Sequence, residues 1–349
     1  MTINSKNFYS LKFLITLAIL FAQPPACLSS AADISQRPKS AEFYHEKNLS
    51  SLEVSIFESA RKNFEILKKD KYSKKYIFAA LARVSDGKII FSTDAAFYKK
   101  KISPGSIIKI FDFALILKYY KGAETAFFYC TDIADIGGLR YNCSQKGGHG
   151  QVDLHSALKK SCNLYFKKFM QSIPRYEFCN MLKLCGFIDS AEETAILSQP
   201  LPDYFQSVIG GKIIEVTPEK LLEFTRFLAS PDAPDGRFTH YREAFDRNAL
   251  LKIGSAMRKA ASEGTAANVL SERDCAVKTG SSQISVRYEK HKKITLTSAV
   301  IAGYTPYACP EYAFVAFCER GAGGTDAAKI AGCLIDSIEA CKAGRFKRP

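Results

Sequence analysis

The sequence predicts an α+β fold in which an antiparallel sheet, built from both ends of the chain, packs against a helical subdomain. Three observations lead to this prediction. Strand patterns flank an Asp-Gly turn early in the chain, the middle is mostly helical, and three strand patterns with a closing helix occupy the end. The 349 residues are 47% hydrophobic and 24% charged, which is an ordinary globular composition with ample core.

The first third of the chain predicts a helix, a hairpin and a second helix. Residues 50–70 carry apolar side chains at a helical period. Residues 76–93 indicate a β-hairpin around the Asp-Gly turn. A Pro-Gly pair then precedes residues 106–120, which are apolar nearly all round, so we expect a buried central helix there.

The rest of the chain predicts helices first and strands afterwards. Residues 152–170 read as one helix with Asp153 as an early cap, and residues 216–230 and 249–264 as two more. The later elements are strands at 275–283, 293–304 and 312–319 and a last helix at 323–344.

The N-terminus has the organisation of an export signal. Two lysines precede a ten-residue apolar run, 13–22, which is short for a membrane span of about 20 residues. Small residues follow, and we expect cleavage near Ala31 or Ala32, with lipidation of Cys27 as the alternative. We therefore predict an exported protein of the periplasm or cell envelope, either released or held by its N-terminus at the outer face of the cytoplasmic membrane.

The net charge of +14 suits nucleic acid, an anionic membrane surface or an acidic polymer. The basic residues are scattered apart from local runs at 68–75 and 98–101, and no nucleic-acid-binding motif accompanies these runs. We interpret both runs as solvated faces and predict no nucleic-acid partner. An anionic envelope surface fits the charge better.

The chain contains eleven cysteines, which in an exported protein favour disulfides. Cys130 and Cys143 flank a Gly-containing turn and are the pair that we expect to be bridged. Since no Cys/His cluster has metal-ligand spacing along the chain, we predict no metal and no cofactor. His149, which has glycines on both sides, is interpreted as a turn residue with a structural role and not as a general base.

Ser-x-x-Lys occurs three times, and one copy is set apart by its surroundings. The copies that begin at Ser59 and Ser156 are attributed to chance in a Lys-rich sequence. The third, Ser106 with Lys109, follows Pro-Gly and is embedded in apolar residues. On a helix, positions i and i+3 share a face. An unprotonated lysine could therefore activate this serine as a nucleophile.

Two further motifs follow in the chain. They are Ser161-Cys162-Asn163 and Lys278-Thr279-Gly280-Ser281. Each is weak alone, because the first suits a helix cap and the second a turn at an edge strand. Together, S-x-x-K, S-x-N and K-T-G in this order, with their flanking sequences, resemble the transpeptidase domain of penicillin-binding proteins, in the serine acyltransferase superfamily that includes β-lactamases. The resemblance covers roughly residues 76–342.

This resemblance implies roles for the first two motifs. Ser106 would be the nucleophile, and Lys109, desolvated by its apolar neighbours, would be the base that takes its proton. Ser161 would relay a proton between Lys109 and the leaving amine. Asn163 would orient the substrate amide.

The resemblance implies that the third motif binds substrate. Lys278 and Thr279 would hold the carboxylate of the substrate's C-terminal residue. Gly280 would let the strand backbone approach the ligand closely. The backbone N–H groups of Ser106 and Ser281 would form an oxyanion hole.

The resemblance also implies the reaction and the domain organisation. Acyl transfer from peptidoglycan stem peptides ending in D-Ala-D-Ala would proceed through an acyl-enzyme on Ser106, and β-lactams would bind the same serine covalently. A D,D-transpeptidase is the first interpretation, a carboxypeptidase or β-lactamase the second, and a non-catalytic penicillin-binding sensor or scaffold the third. The predicted parts are a signal or anchor at 1–31, a linker and N-terminal helix at 32–75, and a penicillin-binding transpeptidase domain of β-lactamase-like fold at 76–345.

Overall fold

The computed structural model describes residues 43–211, 213–233, 236–289 and 292–345. The predicted signal and most of the predicted linker lie outside these residues. Among the described residues, no helix combines the length and the hydropathy needed to cross a bilayer.

The chain forms nine strands and thirteen α-helices within its described part. The strands are β1 (Ile77–Arg83), β2 (Ile89–Ser92), β3 (Phe127–Cys130), β4 (Ile133–Ile136), β5 (Leu139–Asn142), β6 (Gly150–Asp153), β7 (Ala276–Glu289), β8 (Lys292–Thr305) and β9 (Tyr312–Cys318). The helices are α1 (Ser51–Lys71), α2 (Ala95–Tyr98), α3 (Lys109–Tyr119), α4 (Leu154–Lys160), α5 (Asn163–Met170), α6 (Arg175–Leu184), α7 (Ser190–Leu197), α8 (Leu201–Val208), α9 (Pro218–Ala229), α10 (Thr239–Ala244), α11 (Arg247–Ser262), α12 (Ala267–Leu270) and α13 (Ala328–Lys342).

The main sheet joins the two ends of the described chain, as predicted. Its five strands lie in the order β2-β1-β9-β8-β7, and all neighbours are antiparallel. Ile77 at the start of β1 pairs with Cys318 at the end of β9. The fold class predicted from the sequence is therefore confirmed.

Both faces of this sheet are covered, which explains why its central strands are apolar at nearly every position. On β1, Ala79 and Leu81 pack with α1 and α13, whereas Ala80 and Ala82 pack on the opposite face with the helices of the chain's middle. The central helix α3 belongs to that second core and is buried along most of its length. The sheet thus forms a middle layer between two helical layers.

The prediction of one helix over residues 152–170 was wrong. Strand β6 ends at Asp153, which caps α4 as expected, but the chain breaks at Ser161 before α5 begins at Asn163. Ser161 adopts the left-handed conformation, with φ 56°. Buried residues recur at a helical spacing through the break, at Leu154, Leu158, Cys162, Tyr165 and Phe169, so periodicity alone could not reveal it.

Glu53 ties the N-terminal helix to the sheet. Its carboxylate accepts a hydrogen bond from the Ser50 backbone N–H at 2.8 Å and two from the Arg83 guanidinium of β1, each 2.7 Å long. Burial alone would raise the pKa of this carboxyl, but the hydrogen bonds from Ser50 and Arg83 outweigh burial and lower the pKa below its ordinary value.

We expect Glu53→Ala to lower the free energy of unfolding by about 2–3 kcal/mol, because it removes a helix-capping partner and leaves part of the Arg83 guanidinium unpaired. Urea unfolding measures this loss. Glu65→Ala, at an exposed position of the same helix, should cost less than about 0.5 kcal/mol. Since the folded-state pKa is lowered, the difference between wild type and Glu53→Ala should shrink as the pH falls through that pKa. Equal losses in the two variants would contradict this account.

Candidate active site

Ser106 lies in a short 3-10 turn, Gly105–Ile108, that leads directly into α3. Its side chain is partly exposed, whereas the flanking Gly105 and Ile107 are buried. In a 3-10 turn, side chains at i and i+3 eclipse one another. The turn therefore presents Ser106 and Lys109, the first residue of α3, on one face.

Lys109 is fully buried and anchors the second motif. Its Nζ donates hydrogen bonds to the Ser161 carbonyl oxygen at 2.7 Å, to Ser161 Oγ at 3.2 Å and to Asn163 Oδ1 at 2.5 Å. Burial lowers the pKa of Lys109 to about 8, against a smaller opposing effect from the thiols of Cys162 and Cys143. An amine with this pKa is partly neutral near pH 7 and can accept a proton.

The break between α4 and α5 creates this contact. A continuous helix would point the Ser161 carbonyl along the helix axis toward its own next turn. The left-handed backbone of Ser161 instead presents that carbonyl and the Ser161 side chain to Lys109. Non-glycine residues rarely adopt this conformation, and those that do are concentrated at functional sites.

Lys278 on β7 approaches the same hydroxyl from the sheet. Its Nζ donates to Ser161 Oγ at 3.1 Å and to the Thr279 carbonyl oxygen at 2.8 Å. Burial, followed by the nearby Lys109, holds the pKa of Lys278 well below its usual value. Ser161 Oγ therefore accepts hydrogen bonds from two buried amines, and its own proton is left to donate elsewhere. A hydroxyl placed in this way can pass a proton between Lys109 Nζ and Lys278 Nζ.

The strand that carries Lys278 packs directly on the turn that carries Ser106. A Cβ on Gly280 would lie 2.3 Å from the Pro104 carbonyl oxygen, and a Cβ on Gly105 would lie 2.8 Å from the Ser281 backbone nitrogen. These glycines let the two backbones touch. The Ser106 turn and β7 therefore lie in direct contact.

Thr279 and Ser281 are held by residues that sequence reasoning did not single out. Thr279 Oγ1 is hydrogen-bonded to Thr265 Oγ1 at 2.8 Å, and Ser281 Oγ accepts from the Gly323 backbone N–H at 3.1 Å. Thr265 directly follows Gly264, the last residue of the helix predicted at 249–264. All eight predicted site residues lie on the turn before α3, on α3, at the α4–α5 break or on β7.

The expected disulfide between Cys130 and Cys143 is absent, and both are free thiols. Cys143 Sγ instead lies 3.3 Å from His149 Nδ1 and 4.0 Å from Cys162 Sγ, and Cys130 Sγ lies 3.6 Å from the same His149 nitrogen. Hydrogen bonding from Cys162 and then from His149 lowers the pKa of the Cys143 thiol far below its usual value.

These four side chains form a set that could hold a metal, although the sequence led to a prediction of none. Their donor atoms all lie within 4.8 Å of one another. The spacing along the chain did not indicate a metal site, because the four residues come from separate places in the sequence. The one local signal was a cysteine between the serine and the asparagine of the second motif.

The family profile described as "Penicillin binding protein transpeptidase domain" matches residues 68–336, which is most of the chain. No curated protein sequence matches the chain.

Solved structures share the fold at low sequence identity. Penicillin-binding protein 2 (PBP2) of Helicobacter pylori, in a complex with MreC, aligns with a TM-score of 0.65 and 18% identity over 82% of this chain, which spans only 63% of that protein. The transpeptidase domain of Burkholderia pseudomallei penicillin-binding protein 3 aligns with a TM-score of 0.65 and 14% identity, covering 84% of this chain and 95% of that domain. The transpeptidase domain of the Legionella pneumophila FtsI4 D,D-transpeptidase aligns with a TM-score of 0.58 and 20% identity, covering 85% and 100%.

We expect Gly105→Ala to destabilise the protein by about 1–3 kcal/mol more than Gly138→Ala, because the new methyl group would overlap the Ser281 backbone. The matched control removes the effect of backbone strain. Both glycines have positive φ, but nothing lies within 4 Å of a Cβ at Gly138. Chemical denaturation of the two variants measures the difference. Equal destabilisation would show that the Ser106 turn and β7 are not in close contact.

Proposed function

The chain belongs to the family of penicillin-binding protein transpeptidase domains, and we propose that within it the chain is a serine D,D-transpeptidase acting on peptidoglycan stem peptides. The observation that carries this proposal is the hydroxyl of Ser161, which bridges the buried amines of Lys109 and Lys278 beside the Ser106 turn. A buried amine with a lowered pKa beside a serine is what a hydroxyl nucleophile needs. Lysines are rarely buried completely unless polar partners pair with them, as they do here.

In the proposed acylation, neutral Lys109 takes the proton of Ser106 as its Oγ attacks the carbonyl carbon of the penultimate D-Ala. The backbone N–H groups of Ser106 and Ser281 stabilise the negative oxygen of the tetrahedral intermediate, a contribution of about 3–4 kcal/mol for such donors. The C–N bond to the terminal D-Ala then breaks. The proton held by Lys109 passes through Ser161 to the leaving amine.

The second half of the proposed reaction uses the same groups in reverse. The amine of a second stem peptide attacks the ester carbonyl on Ser106 and loses a proton to Lys109. The C–O bond to Ser106 breaks, and the serine oxygen recovers that proton. Before acylation, Thr279 and Lys278 bind the carboxylate of the donor's terminal residue, and Asn163 orients the donor's amide. A β-lactam would acylate Ser106 by the same first step.

The proposed location rests on the N-terminal segment that the sequence predicts to be an export signal. Residues 1–31 would direct the chain to the periplasm or cell envelope, where the substrate lies, and retention of this segment would hold the domain at the outer face of the cytoplasmic membrane. The net charge of +14 suits an anionic envelope surface.

We expect the purified protein to form a stable one-to-one adduct with benzylpenicillin, because Ser106 is partly exposed and has a base one turn away. Intact-mass measurement detects the adduct. Ser106→Ala should abolish it. Ser59→Ala, which alters the serine of another Ser-x-x-Lys in this chain, should leave it intact.

Other outcomes would change the assignment. Rapid hydrolysis of penicillin without an adduct would indicate a β-lactamase. An adduct, together with release of D-Ala from a donor peptide but no product cross-linked to an added acceptor amine, would indicate a carboxypeptidase. A native protein that neither binds nor hydrolyses penicillin would contradict catalysis and favour a non-catalytic role.

We expect the rate constant of acylation by benzylpenicillin to rise as the pH rises through about 8 and then to level off. Only neutral Lys109 can accept the serine proton, so protonation at low pH removes the base. Stopped-flow measurement of acylation over this range tests the expectation.

A third buried lysine, Lys167, provides the control for this pH profile. Burial also lowers the pKa of Lys167 to about 8, and its Nζ lies 4.4 Å from the centroid of the Tyr141 ring. Lys167→Met should keep the inflection in the pH profile. A flat profile, or an inflection that disappears in Lys167→Met, would rule out Lys109 as the group observed.

A further inference from the structure

We propose that Cys130, Cys143, His149 and Cys162 form a four-coordinate zinc site that fixes the turn between α4 and α5. The four residues come from separate places in the chain. Cys130 ends β3, Cys143 directly follows β5, His149 directly precedes β6, and Cys162 lies at the break between the helices. The proposal stands on their convergence and does not depend on the reaction proposed above.

The distances between donor atoms fit tetrahedral coordination. Zinc bonds of about 2.3 Å to sulfur and about 2.0–2.1 Å to nitrogen, at tetrahedral angles, place neighbouring donors about 3.5–3.8 Å apart. The distances from His149 Nδ1 are 3.3 Å to Cys143 Sγ and 3.6 Å to Cys130 Sγ, and the two sulfurs of Cys143 and Cys162 lie 4.0 Å apart. These distances bracket the expected range.

The donor chemistry selects the metal. Three thiols and one imidazole are soft and borderline ligands, which favour zinc over magnesium or calcium. A set of four protein ligands leaves no open position, which is typical of a structural site and not of a catalytic one. Three thiolates around one divalent cation carry a net charge of −1. Lys160, whose Nζ donates to the His149 carbonyl oxygen at 3.2 Å, lies close enough to offset that charge.

The backbone around the ligands is already arranged for this geometry. Gly148 has φ 79°, and a Cβ there would lie 2.1 Å from the Cys130 carbonyl oxygen. The His149 backbone N–H donates to that same oxygen at 3.1 Å. The Gly147-Gly148 turn therefore holds the backbone of His149 against that of Cys130. An ordinary surface turn does not require so close a contact.

The segment around the ligands consists of two small sheets that pack on the core through Cys130, Ile136 and Val152. Strands β3 and β6 form one two-stranded sheet, and β4 and β5 form another. Isolated two-stranded sheets are marginal in water. The side chains of Phe127 and Tyr129 on β3 are mostly exposed, at 65% and 67%. A metal joining β3, the end of β5 and the start of β6 to α5 would add a further constraint to this packing.

Cys162 connects this site to the second motif. It separates Ser161 from Asn163, and both of these contact Lys109 Nζ. A metal bond to Cys162 Sγ would restrict the backbone of the residue between them. The proposed metal would therefore act as a positioning element, because none of its ligands contacts the reacting serine in this structure.

Metal analysis of the native protein is the first test. After exchange into metal-free buffer, we expect about one zinc per chain by elemental mass spectrometry. Replacement with cobalt(II) should give the visible bands of tetrahedral coordination and a thiolate charge-transfer band in the near ultraviolet. Neither measurement needs a variant, so neither depends on a mutant that folds.

A matched pair of variants locates the site. Cys143→Ser should lower the zinc content at least about tenfold under competition with a chelator, whereas Cys333→Ser, at another half-buried cysteine outside the cluster, should retain it. A folded native protein without zinc, or one in which peptide mapping finds a disulfide among the three cysteines, would overturn the proposal. Equal zinc content in the two variants would also overturn it.

One consequence rests on the proposed function. Removal of zinc should slow acylation by benzylpenicillin about 10–100-fold, and re-addition of zinc should restore the rate. Metal content is measured without any activity, so the two proposals can fail separately. An unchanged rate in zinc-free protein would remove the positioning role, and absence of bound zinc would remove the site itself.

Discussion

The site depends on one constraint, which is that two amines are buried within hydrogen-bonding distance of a single hydroxyl oxygen. Lys109 and Lys278 have no exposed surface, and both donate to Ser161 Oγ. Burial of two positive charges so close together would be very costly, so at least one amine is driven toward its neutral form. The same desolvation that makes this arrangement costly for folding lowers the pKa of both amines. The carbonyl oxygens of Ser161 and Thr279 and the amide of Asn163 make the arrangement tolerable, since they accept the remaining hydrogen bonds.

Three parts of the fold are needed to meet this constraint. Helix α3 begins at Lys109 and lies in the core. The left-handed backbone of Ser161 directs its carbonyl and side chain toward that lysine, and Lys278 lies on strand β7 of the sheet. The turn before α3 and the strand β7 touch at Gly105 and Gly280, where there is no room for a side chain between the two backbones. The surrounding architecture, with a sheet between two helical layers, holds them in register.

The sequence predicted most of the fold and the identity of the motif residues, and its failures have physical causes. Helix α1 was found because burial of one side imposes a helical period on its sequence. The first hairpin was found from its Asp-Gly turn, and the late strands from their strand-like composition. The break at Ser161 was not predicted, because buried residues continue across it at a helical spacing. The disulfide was predicted from two cysteines around a turn, but spacing along a chain does not fix which side chains meet in space. Thr265 and the Cys/His cluster depend on such long-range contacts, and no local pattern marks them.

The pairing of β1 with β9 has a consequence for the order in which the protein can become competent. Because synthesis starts at the N-terminus, Ser106 and Lys109 are made early. Strand β9, which completes the middle of the sheet, ends only at Cys318. Closing so long a loop is entropically expensive and slow, so the buried environment of Lys109 forms only after nearly the whole chain is available. Until then the lysine is solvated and protonated, and the serine is an ordinary alcohol. A nascent chain that lacks β9 therefore contains Ser106 and Lys109 without the burial that lowers the pKa of Lys109, and the lowered pKa appears only with the native fold.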